Sequence, residues 1–485
     1  MTVMGNYDTA AFMTYAENVA GQFEKLAEIP RPSGHEEKVS EYLYEWAQSH
    51  GFPARRDGFK NVIFDVPATQ GFEDRPLAAL QAHTDMVFAQ RDGLDLDAET
   101  HSIRVIIDGG RLFADGTSLG ADDGIGAALA LCIAKGKAAH GPLRIILTAD
   151  EESGMSGAEN LDADCVRDVR YLINLDSEDE GVATVSSAAS SEYVFTRKFT
   201  PAKPDGAALS VSVSGLPGGH SGIDIIYGRK NAVKCVSAAL NALENAGVAF
   251  ALASFSGGTA VNAIPSSARA VICVESGKTE EAKSVLSEAL AGINARTDEK
   301  AEVSVSTANL PESAVSGADT QSAVRFVSEL FDGVYSMSEA MEGLVECSSN
   351  TGGIKTENGA IAVCVMVRSS DDARLSELCE KQEAAAEKYG FSFGRSGRAA
   401  AWRYNPESRL LDVTKRAYLS VFGKEITVEA IHAGLECGAF LRYNPSLDII
   451  SIGPTVKNPH TVNEFCDLES VGKVGILVEE ILKAL

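Results

Sequence analysis

Short apolar segments alternate with a helical segment near the start of the chain, and this alternation restricts the fold more than any other feature. The segments 76–82, 144–149 and 170–175 are rich in leucine or β-branched residues, as expected of strands buried on both faces. Between the first two, residues 124–134 have the small apolar side chains and the length of a helix. Strands that alternate with helices indicate an α/β domain with a mostly parallel sheet.

The segment before these strands is predicted to be helical. Apolar residues recur at helical spacing over 15–47, interrupted by a turn at Pro30-Arg31-Pro32-Ser33-Gly34. Ser33 is predicted to cap the helix that follows, because serine is a preferred N-cap residue.

A different order of elements begins after residue 187. The pattern there predicts strand, helix, two strands and helix, at 208–214, 229–244, 250–255, 268–274 and 279–293. A second round is predicted at 302–307, 320–331, 360–367 and 372–389. This order is typical of an α+β domain, so we expect an inserted domain of two similar halves at 188–401.

From residue 402 the α/β pattern returns, with a strand at 448–452 and a closing helix at 471–485. The first domain is therefore predicted to be discontinuous, with residues 1–187 and 402–485 on either side of the insertion. A chain of 485 residues is long enough for two domains, each with its own core.

Charge and cysteine content exclude several classes of protein. The net charge of −25 argues against nucleic acid and anionic membranes as partners, because those contacts depend on clusters of Lys and Arg. The nine cysteines are odd in number and form no C-x-x-C pair, which argues against a disulfide framework and favours a reducing compartment. Residues 1–17 lack a basic segment followed by an apolar one, and no apolar run reaches membrane-spanning length. We therefore expect a cytoplasmic protein.

Metal-binding types of side chain follow four of the predicted strands. His83 and Asp85 follow the strand at 76–82, and Glu151 and Glu152 follow the strand at 144–149. Asp176 follows the strand at 170–175, and the loop that leads to His460 follows the strand at 448–452. Ligands in open α/β sheets bind beyond the carboxyl ends of the strands, so these side chains are expected to converge. Asp122, just before the helix at 124–134, could join them.

These residues suit a pair of divalent ions. Taken singly, a His-x-Asp pair is most often a surface pair or a cap, and a Glu-Glu pair a solvated helix start. Two histidines, two aspartates and one glutamate at converging strand ends instead favour zinc or a similar ion. Five ligands can hold two ions if one carboxylate is shared, and zinc lowers the pKa of bound water to about 7. Glu151, beside the ligand Glu152, would be the general base.

The order of motifs along nearly the whole chain resembles one family. The motifs are Ala-His-Thr-Asp-Met at His83, Leu-Gly-Ala-Asp-Asp-Gly-Ile-Gly at Asp122, Asp-Glu-Glu-Ser-Gly-Met-Ser-Gly at Glu151, Leu-Ile-Asn-Leu-Asp-Ser-Glu-Asp-Glu at Asp176, Gly-Gly-His-Ser-Gly at His220, Asn-Ala-Ile-Pro at Asn262, Ile-His-Ala-Gly-Leu-Glu-Cys-Gly at His432 and Glu436, and Ile-Gly-Pro-Thr before His460. Together they are similar to those of the aminoacyl-histidine dipeptidases, also called cytosol non-specific dipeptidases or bacterial peptidase D. This family belongs to the co-catalytic zinc peptidases that include aminoacylase and carnosinase.

The resemblance implies a ligand set and a fold. One ion would be held by His83, Asp122 and Asp176, and the other by Asp122, Glu152 and His460. Asp85 would orient His83, and the peptide bond after Asp122 would be cis. The fold would be a mostly parallel-sheet di-zinc catalytic domain interrupted by an α+β lid, which in this family type also serves dimerisation, so a homodimer is possible.

The resemblance also implies an activity, the hydrolysis of unblocked dipeptides, Xaa-His and β-alanyl-histidine among them. A metal-bridging water would be activated by Glu151, and His220 on the lid would stabilise the oxyanion, from its own chain or from a partner's. Asn262 and Arg368 would bind the substrate carboxylate. The ions would be zinc, with manganese or cobalt as alternatives.

Other interpretations stay open at this stage. Glu436 is a candidate for the substrate amine, or else a solvated glutamate at a helix start. The sequence Gly-Thr-Ser-Leu-Gly around Ser118 matches the G-x-S-x-G motif of serine hydrolases, although the predicted helix begins several residues too late for that turn. A related di-zinc aminoacylase or carboxypeptidase, and an inactive binding relative, are the remaining alternatives.

Overall fold

The computed structural model, which describes residues 9–294, 301–397 and 400–485, divides the chain into two units. Unit 1 comprises the described parts of Met1–Ser187, Trp402–Ala430 and Leu435–Leu485, and unit 2 those of Ala188–Ala401 and Ile431–Gly434. Unit 1 is therefore discontinuous in sequence. Residues 1–8, which belong to the segment predicted to lack a leader, lie outside the described residues.

Unit 1 contains helices of very different lengths and mostly short strands. Its helices are Thr9–Ala27, Glu37–Ser49, Ala121–Ala134, Glu151–Gly154, Ser156–Glu159, Arg409–Phe422, Cys437–Tyr443 and Leu468–Ala484. Its strands are Ala54–Arg56, Val62–Val66, Ala78–His83, Val105–Asp108, Arg111–Ala114, Leu143–Thr148, Tyr171–Asn174, Val182–Thr184, Thr427–Glu429, Asp448–Ser451, Val456–Lys457 and Phe465–Asp467.

Four adjacent parallel strands form the centre of an eight-stranded sheet in unit 1. In spatial order they are Leu143–Thr148, Ala78–His83, Tyr171–Asn174 and Asp448–Ser451. Every residue in these four strands is buried, which explains their near-continuous apolar sequences. Antiparallel pairs lie towards the edges. The predicted α/β fold with a mostly parallel sheet is confirmed.

The turn between the first two helices differs from the prediction. The second helix begins at Glu37, and its N-cap residue Glu36 makes no side-chain capping bond. Ser33 does not cap the helix, because its hydroxyl instead donates to Asp85 Oδ2 at 2.8 Å. The prediction of Ser33 as a cap is therefore wrong, and the turn is connected to the end of a central strand.

Unit 2 is built around an antiparallel sheet of nine strands. Its helices are Ala232–Asn245, Thr279–Asn294, Gly317–Glu329 and Asp372–Tyr389. Its strands are Ala189–Lys198, Pro201–Ala202, Ala207–Ser214, Gly219–His220, Phe250–Gly257, Ala263–Ile264, Ala268–Val274, Glu302–Ala308, Ala314–Val315, Gly333–Met337, Val345–Glu357, Ala360–Ser369 and Ser392–Gly397.

Eight of the nine strands form two halves with the same strand order, and the ninth, Gly333–Met337, pairs with Val345–Glu357. In the first half the order is Glu302–Ala308, Ala207–Ser214, Ala268–Val274 and Phe250–Gly257. In the second half the order is Ser392–Gly397, Ala189–Lys198, Ala360–Ser369 and Val345–Glu357. When the four strands of each half are numbered along the chain, the spatial order in both halves is fourth, first, third, second. The second strand of the first half, Phe250–Gly257, pairs with the second strand of the other half, Val345–Glu357.

The two halves are therefore present, but their boundary was predicted incorrectly. Strand Glu302–Ala308 pairs with Ala207–Ser214 and closes the first half, whereas the sequence pattern made it the start of the second. The second half begins instead with Ala189–Lys198, which precedes the whole first half in sequence.

Close packing of the first and last described helices of unit 1 predicts a difference between two glycines. A Cβ atom at Gly472 would meet the main-chain carbonyl of Phe12, whereas one at Gly21 would meet nothing within 4 Å. Gly472→Ala should destabilise unit 1, because overpacking against immovable main chain costs about 1–3 kcal/mol. Gly21→Ala should instead stabilise it by up to about 1 kcal/mol, the difference in helix propensity. Urea unfolding of both variants measures this, and equal stabilisation by both would contradict the packing described.

Candidate metal centre

The register of the central strands brings the predicted ligands to one edge of the unit 1 sheet. His83 lies opposite Thr148, Gln81 lies opposite Asn174, and Asn174 lies opposite Ser451. Because these strands are parallel, the residues that follow each of them leave the sheet at the same edge. Those residues include Asp85, Glu151, Glu152, Asp176 and the loop that leads to His460.

Asp122 lies between two imidazoles at this edge. Its Oδ1 is 3.1 Å from His83 Nε2, and its Oδ2 is 3.1 Å from His460 Nε2. The backbone at Asp122 is not helical, although it lies in the first turn of Ala121–Ala134, and the peptide bond Asp122–Asp123 is cis, as the family resemblance implied. Both carboxylate oxygens of Asp122 are therefore directed at ring nitrogens.

Two groups of three side chains share Asp122. One group is His83, Asp122 and Asp176, and the other is Asp122, Glu152 and His460; within each group the candidate ligand atoms lie within 4.8 Å of one another. His83 Nε2 is 3.5 Å from Asp176 Oδ1, and His460 Nε2 is 2.8 Å from Glu152 Oε1. Among the described residues His83 also forms a third such group with Glu151 and Glu152.

The groups fit divalent ions chemically. Imidazole nitrogen and carboxylate oxygen are ligands that zinc and similar ions accept. Glu152 Oε1 is buried and close to His460 Nε2, yet it makes no hydrogen bond of acceptable geometry with any described residue, as expected if both atoms face a common cation. Burial raises the pKa of Asp176 well above its usual value, and the charge of Asp122 raises it further. A bound cation would offset both effects.

Asp85 lies behind His83 and is fully buried. Its Oδ1 is 3.4 Å from His83 Nδ1, and its two oxygens accept the backbone N–H groups of Glu151 and Glu152 at 3.0 and 3.2 Å. Although burial opposes the charge, the neighbouring imidazole of His83 and hydrogen bonds from Ser33 and the Glu151 N–H hold the pKa of Asp85 at about 2. Asp85 therefore stays ionised and connects His83 to the segment that carries Glu151.

Glu151 begins the short helix Glu151–Gly154, next to Glu152. Burial raises the pKa of Glu151 well above its usual value, and the negative charges of Asp176, Glu436 and Glu152 act in the same direction. A carboxylate in such surroundings accepts a proton readily, which is the property that a general base needs.

Glu436 is not a solvated helix-start residue, so that interpretation is wrong. Its side chain has no exposed surface, and its Oε2 accepts from Gln81 Nε2 at 2.6 Å and from Thr148 Oγ1 at 2.7 Å. Burial raises the pKa of Glu436 to about 7. Its Oε1 has no hydrogen-bond partner among the described residues.

Three other predicted site residues, His220, Asn262 and Arg368, lie in unit 2. His220 pairs with Ala263 between two short strands, and the carbonyl of the adjacent Asn262 accepts the N–H of Ser221 at 2.8 Å. His220 Nδ1 accepts the N–H groups of Gly222 and Ile223 at 3.2 and 3.1 Å, so the neutral ring carries its proton on Nε2. Burial lowers the pKa of His220, and the positive charge of Arg368 lowers it further.

Sequence reasoning assigned no role to three further buried ionisable residues, one in unit 2 and two in unit 1. His432 in unit 2 has its Nε2 2.7 Å from Ser348 Oγ, and burial lowers its pKa to about 3. Arg31 and Glu464 in unit 1 bond to backbone groups of the loops that carry the candidate ligands. Arg31 lies in the proline turn, and Glu464 follows His460 by four residues, but neither position forms a recognisable ligand motif.

Ser118 does not have the surroundings of a serine nucleophile. It is fully buried, and its hydroxyl donates to the carbonyl of Val87 at 2.8 Å and accepts the N–H of Ala89 at 2.9 Å. No imidazole bonds to it among the described residues, so the G-x-S-x-G match does not mark a nucleophile. In the described ranges no helix combines the length and apolar character needed to cross a bilayer.

Comparison with known proteins agrees with this geometry. The chain is 33% identical over 471 residues to the cytosol non-specific dipeptidase of Escherichia coli (strain K12), covering 96% of each chain. Its structure is similar to that of an aminoacylhistidine dipeptidase from Vibrio alginolyticus, with a TM-score of 0.89, 32% identity and 96% of each chain covered. A tripeptidase from Staphylococcus aureus shares the fold, with a TM-score of 0.58, 14% identity, and 97% of this chain and 98% of that chain covered.

The sequence profile of one family matches most of the chain. Residues 79–484 match Peptidase family M20/M25/M40, and this range contains every candidate metal ligand from His83 to His460. The chain therefore belongs to peptidase family M20/M25/M40 and is a peptide-bond hydrolase.

Proposed function

We propose that the protein hydrolyses unblocked dipeptides with two divalent metal ions at the edge of the unit 1 sheet. The observation that carries the proposal is the position of Asp122, with each carboxylate oxygen 3.1 Å from a different imidazole. A carboxylate shared in this way belongs to both triads, as a two-ion site requires. The dipeptidase names of the Escherichia coli and Vibrio alginolyticus relatives support the choice of substrate.

In this proposal one ion is held by His83, Asp122 and Asp176, and the other by Asp122, Glu152 and His460. Zinc is the expected metal, with manganese or cobalt as alternatives, because the ligands are imidazole nitrogens and carboxylate oxygens. When bound, the ions polarise the scissile carbonyl and lower the pKa of water in the site. Asp85 keeps His83 oriented, since its oxygen lies 3.4 Å from the ring nitrogen opposite the ligand atom.

Glu151 takes the role of the base. It receives a proton from the attacking water and passes that proton to the amine that leaves. Its backbone N–H is held by Asp85 at 3.0 Å, which keeps its position relative to His83 and Glu152 constant. Positioned acid–base groups contribute typically about 10²–10⁴ in rate.

His220 supplies a hydrogen bond to the oxyanion. With Nδ1 accepting two backbone N–H groups, the neutral ring presents Nε2–H as a donor. Burial and the charge of Arg368 both lower the pKa of His220, which favours the neutral ring. One such donor is worth about 10²–10³ in kcat.

The ends of the dipeptide are recognised by opposite charges. Arg368 and Asn262 bind the α-carboxylate, because guanidinium forms two parallel hydrogen bonds with carboxylates. Glu436 binds the α-ammonium group through Oε1, the oxygen that Gln81 and Thr148 leave without a hydrogen bond. An aminoacylase or a carboxypeptidase acts on substrates without a free amine at this position, so Glu436 favours the dipeptidase.

The protein is expected to act in the cytoplasm, as the name of the Escherichia coli relative indicates for that protein. All nine cysteines are free, and eight of them are buried, which suits a reducing compartment. A homodimer stays the prediction for its assembly.

Metal removal and loss of the base should have separable effects. Chelation should abolish dipeptide hydrolysis, and added zinc, manganese or cobalt should restore it. Glu151→Gln should keep both ions, because Glu151 lies outside the two proposed ligand sets, and should lose about 10²–10⁴ in kcat. Metal analysis beside a dipeptide assay tests both statements, with a fluorophosphonate as the control that should leave activity intact. Activity retained in Glu151→Gln would rule out Glu151 as the base.

Blocking either end of a dipeptide should weaken hydrolysis. A buried polar group that loses its partner costs about 1–3 kcal/mol, which corresponds to a roughly 5- to 150-fold lower kcat/KM. One dipeptide should therefore be assayed in its free, N-acetylated and C-amidated forms, with the wild type and with Glu436→Gln. The acetylated form should be poor with the wild type, and Glu436→Gln should reduce the preference for the free amine. Equal kcat/KM for free and acetylated forms would remove Glu436 from this role and favour an aminoacylase or a carboxypeptidase.

A further inference from the structure

Four consecutive backbone N–H groups point at one buried carboxylate in unit 1. Glu464 Oε2 accepts from Leu119 at 2.7 Å and Gly120 at 3.0 Å, and Oε1 accepts from Ala121 at 2.7 Å and Asp122 at 3.4 Å. The side chain is only 3% exposed. Hydrogen bonds to an ionised acceptor are stronger than neutral ones. Glu464 therefore holds residues 119–122, the segment that ends on the shared candidate ligand, by its N–H groups.

A buried cation holds the same segment by a carbonyl group. Arg31 Nη2 donates to the carbonyl of Gly120 at 2.6 Å, and Nη1 donates to the carbonyls of Thr84 and Asp85 at 3.1 and 3.0 Å. Arg31 is 2% exposed. The planar guanidinium can direct several N–H groups in fixed directions at once, which a lysine ammonium does not do. Arg31 therefore connects the segment before Asp122 with the segment after His83.

Gly120 makes this arrangement possible. Its φ of 72° lies in the left-handed region that favours glycine. A Cβ atom there would also lie 2.7 Å from Arg31 Nη2 and 2.6 Å from Met86 Sδ, so a side chain would displace the guanidinium. Both the backbone conformation and the space at this position require glycine.

We propose that Glu464 and Arg31 are positioning residues of the two-metal site, which fix Asp122 so that each of its oxygens faces one imidazole. The inference rests on the proposed function, because it assumes that Asp122 is shared by two ions. Glu464 follows His460 by four residues and bonds to the segment that ends on Asp122, while Arg31 bonds to the segment after His83. Together the two side chains connect the three segments that meet at Asp122. Neither contacts the reacting atoms, so both act through Asp122.

Loss of the hydrogen bonds made by Glu464 or Arg31 should weaken the binding of both ions, because Asp122 belongs to both triads. Glu464→Gln keeps the size of the side chain but offers one acceptor oxygen and an NH2 group, so part of the row of backbone N–H groups would face another donor. Removal of a group that orients a metal ligand typically costs about 10–100-fold in metal affinity or activity. We expect a loss of that size in the affinity for each of the two ions.

A buried carboxylate elsewhere in unit 1 provides a matched control. Asp448 is 6% exposed, accepts Ser408 Oγ at 2.5 Å and the N–H of Leu410 at 3.0 Å, and begins strand Asp448–Ser451 at the end opposite the candidate ligands. Asp448→Asn should lower the melting temperature, as the loss of a buried hydrogen-bonded carboxylate does, without changing metal affinity.

The experiment titrates the chelated full-length wild type, Glu464→Gln and Asp448→Asn with zinc in competition with a chelator. Cobalt(II) absorption spectra and melting temperatures are recorded for each protein. Glu464→Gln should bind both ions about 10–100-fold more weakly and show an altered cobalt spectrum, whereas Asp448→Asn should match the wild type in both.

Wild-type affinities and an unchanged cobalt spectrum in a folded Glu464→Gln protein would overturn the inference. If that variant does not fold, Arg31→Lys replaces it, since it keeps the charge but loses the fork of N–H groups, and the same criterion applies. If the wild type binds fewer than two ions, the proposed function itself is overturned. If the wild type and the Glu464→Gln variant both bind two ions with the same high affinity, only the positioning role is overturned.

Discussion

The carboxylate of Asp122 has to face His83 on one oxygen and His460 on the other, and the rest of the site depends on this requirement. Both distances are 3.1 Å, although the three residues come from distant parts of the chain. Parallel strands meet the requirement because their carboxyl ends lie at one edge, where the segments after the strands converge. The central sheet of unit 1 is therefore the part of the fold that assembles the metal ligands.

The same convergence concentrates negative charge. Burial raises the pKa values of Asp176 and Glu151, and neighbouring carboxylates raise both further. Divalent ions would offset this repulsion, which makes metal binding and the ionisation of the site parts of one equilibrium. Arg31 adds a positive charge near the carboxylate of Asp122, and its guanidinium donates to backbone carbonyls of the loops after His83 and before Asp122. The same side chain therefore affects both the charge of the site and the conformation of those two loops.

The strands of the central sheet could be predicted because burial on both faces makes their sequences apolar. Strand Val345–Glu357 could not be predicted, because its sequence contains Ser, Asn and Gly. It forms a strand because it pairs with neighbouring strands on both sides. Strand Ala189–Lys198, which opens the second half of unit 2, was not predicted either, and Glu302–Ala308 was assigned to that half in its place. The candidate metal ligands could be inferred from residue types at strand ends. The roles of Arg31 and Glu464 could not be inferred, because their hydrogen-bond partners are backbone groups that only the folded chain brings together.

The central claim, that Asp122 is shared by two ions, is tested most directly by a crystal structure of the zinc-loaded protein with anomalous scattering at the zinc edge. Two anomalous peaks are expected about 3.5–4 Å apart, the usual spacing of two-metal sites. One oxygen of Asp122 should coordinate each ion, with His83 and Asp176 on one side and Glu152 and His460 on the other. A single peak, or two ions that do not share Asp122, would contradict this claim.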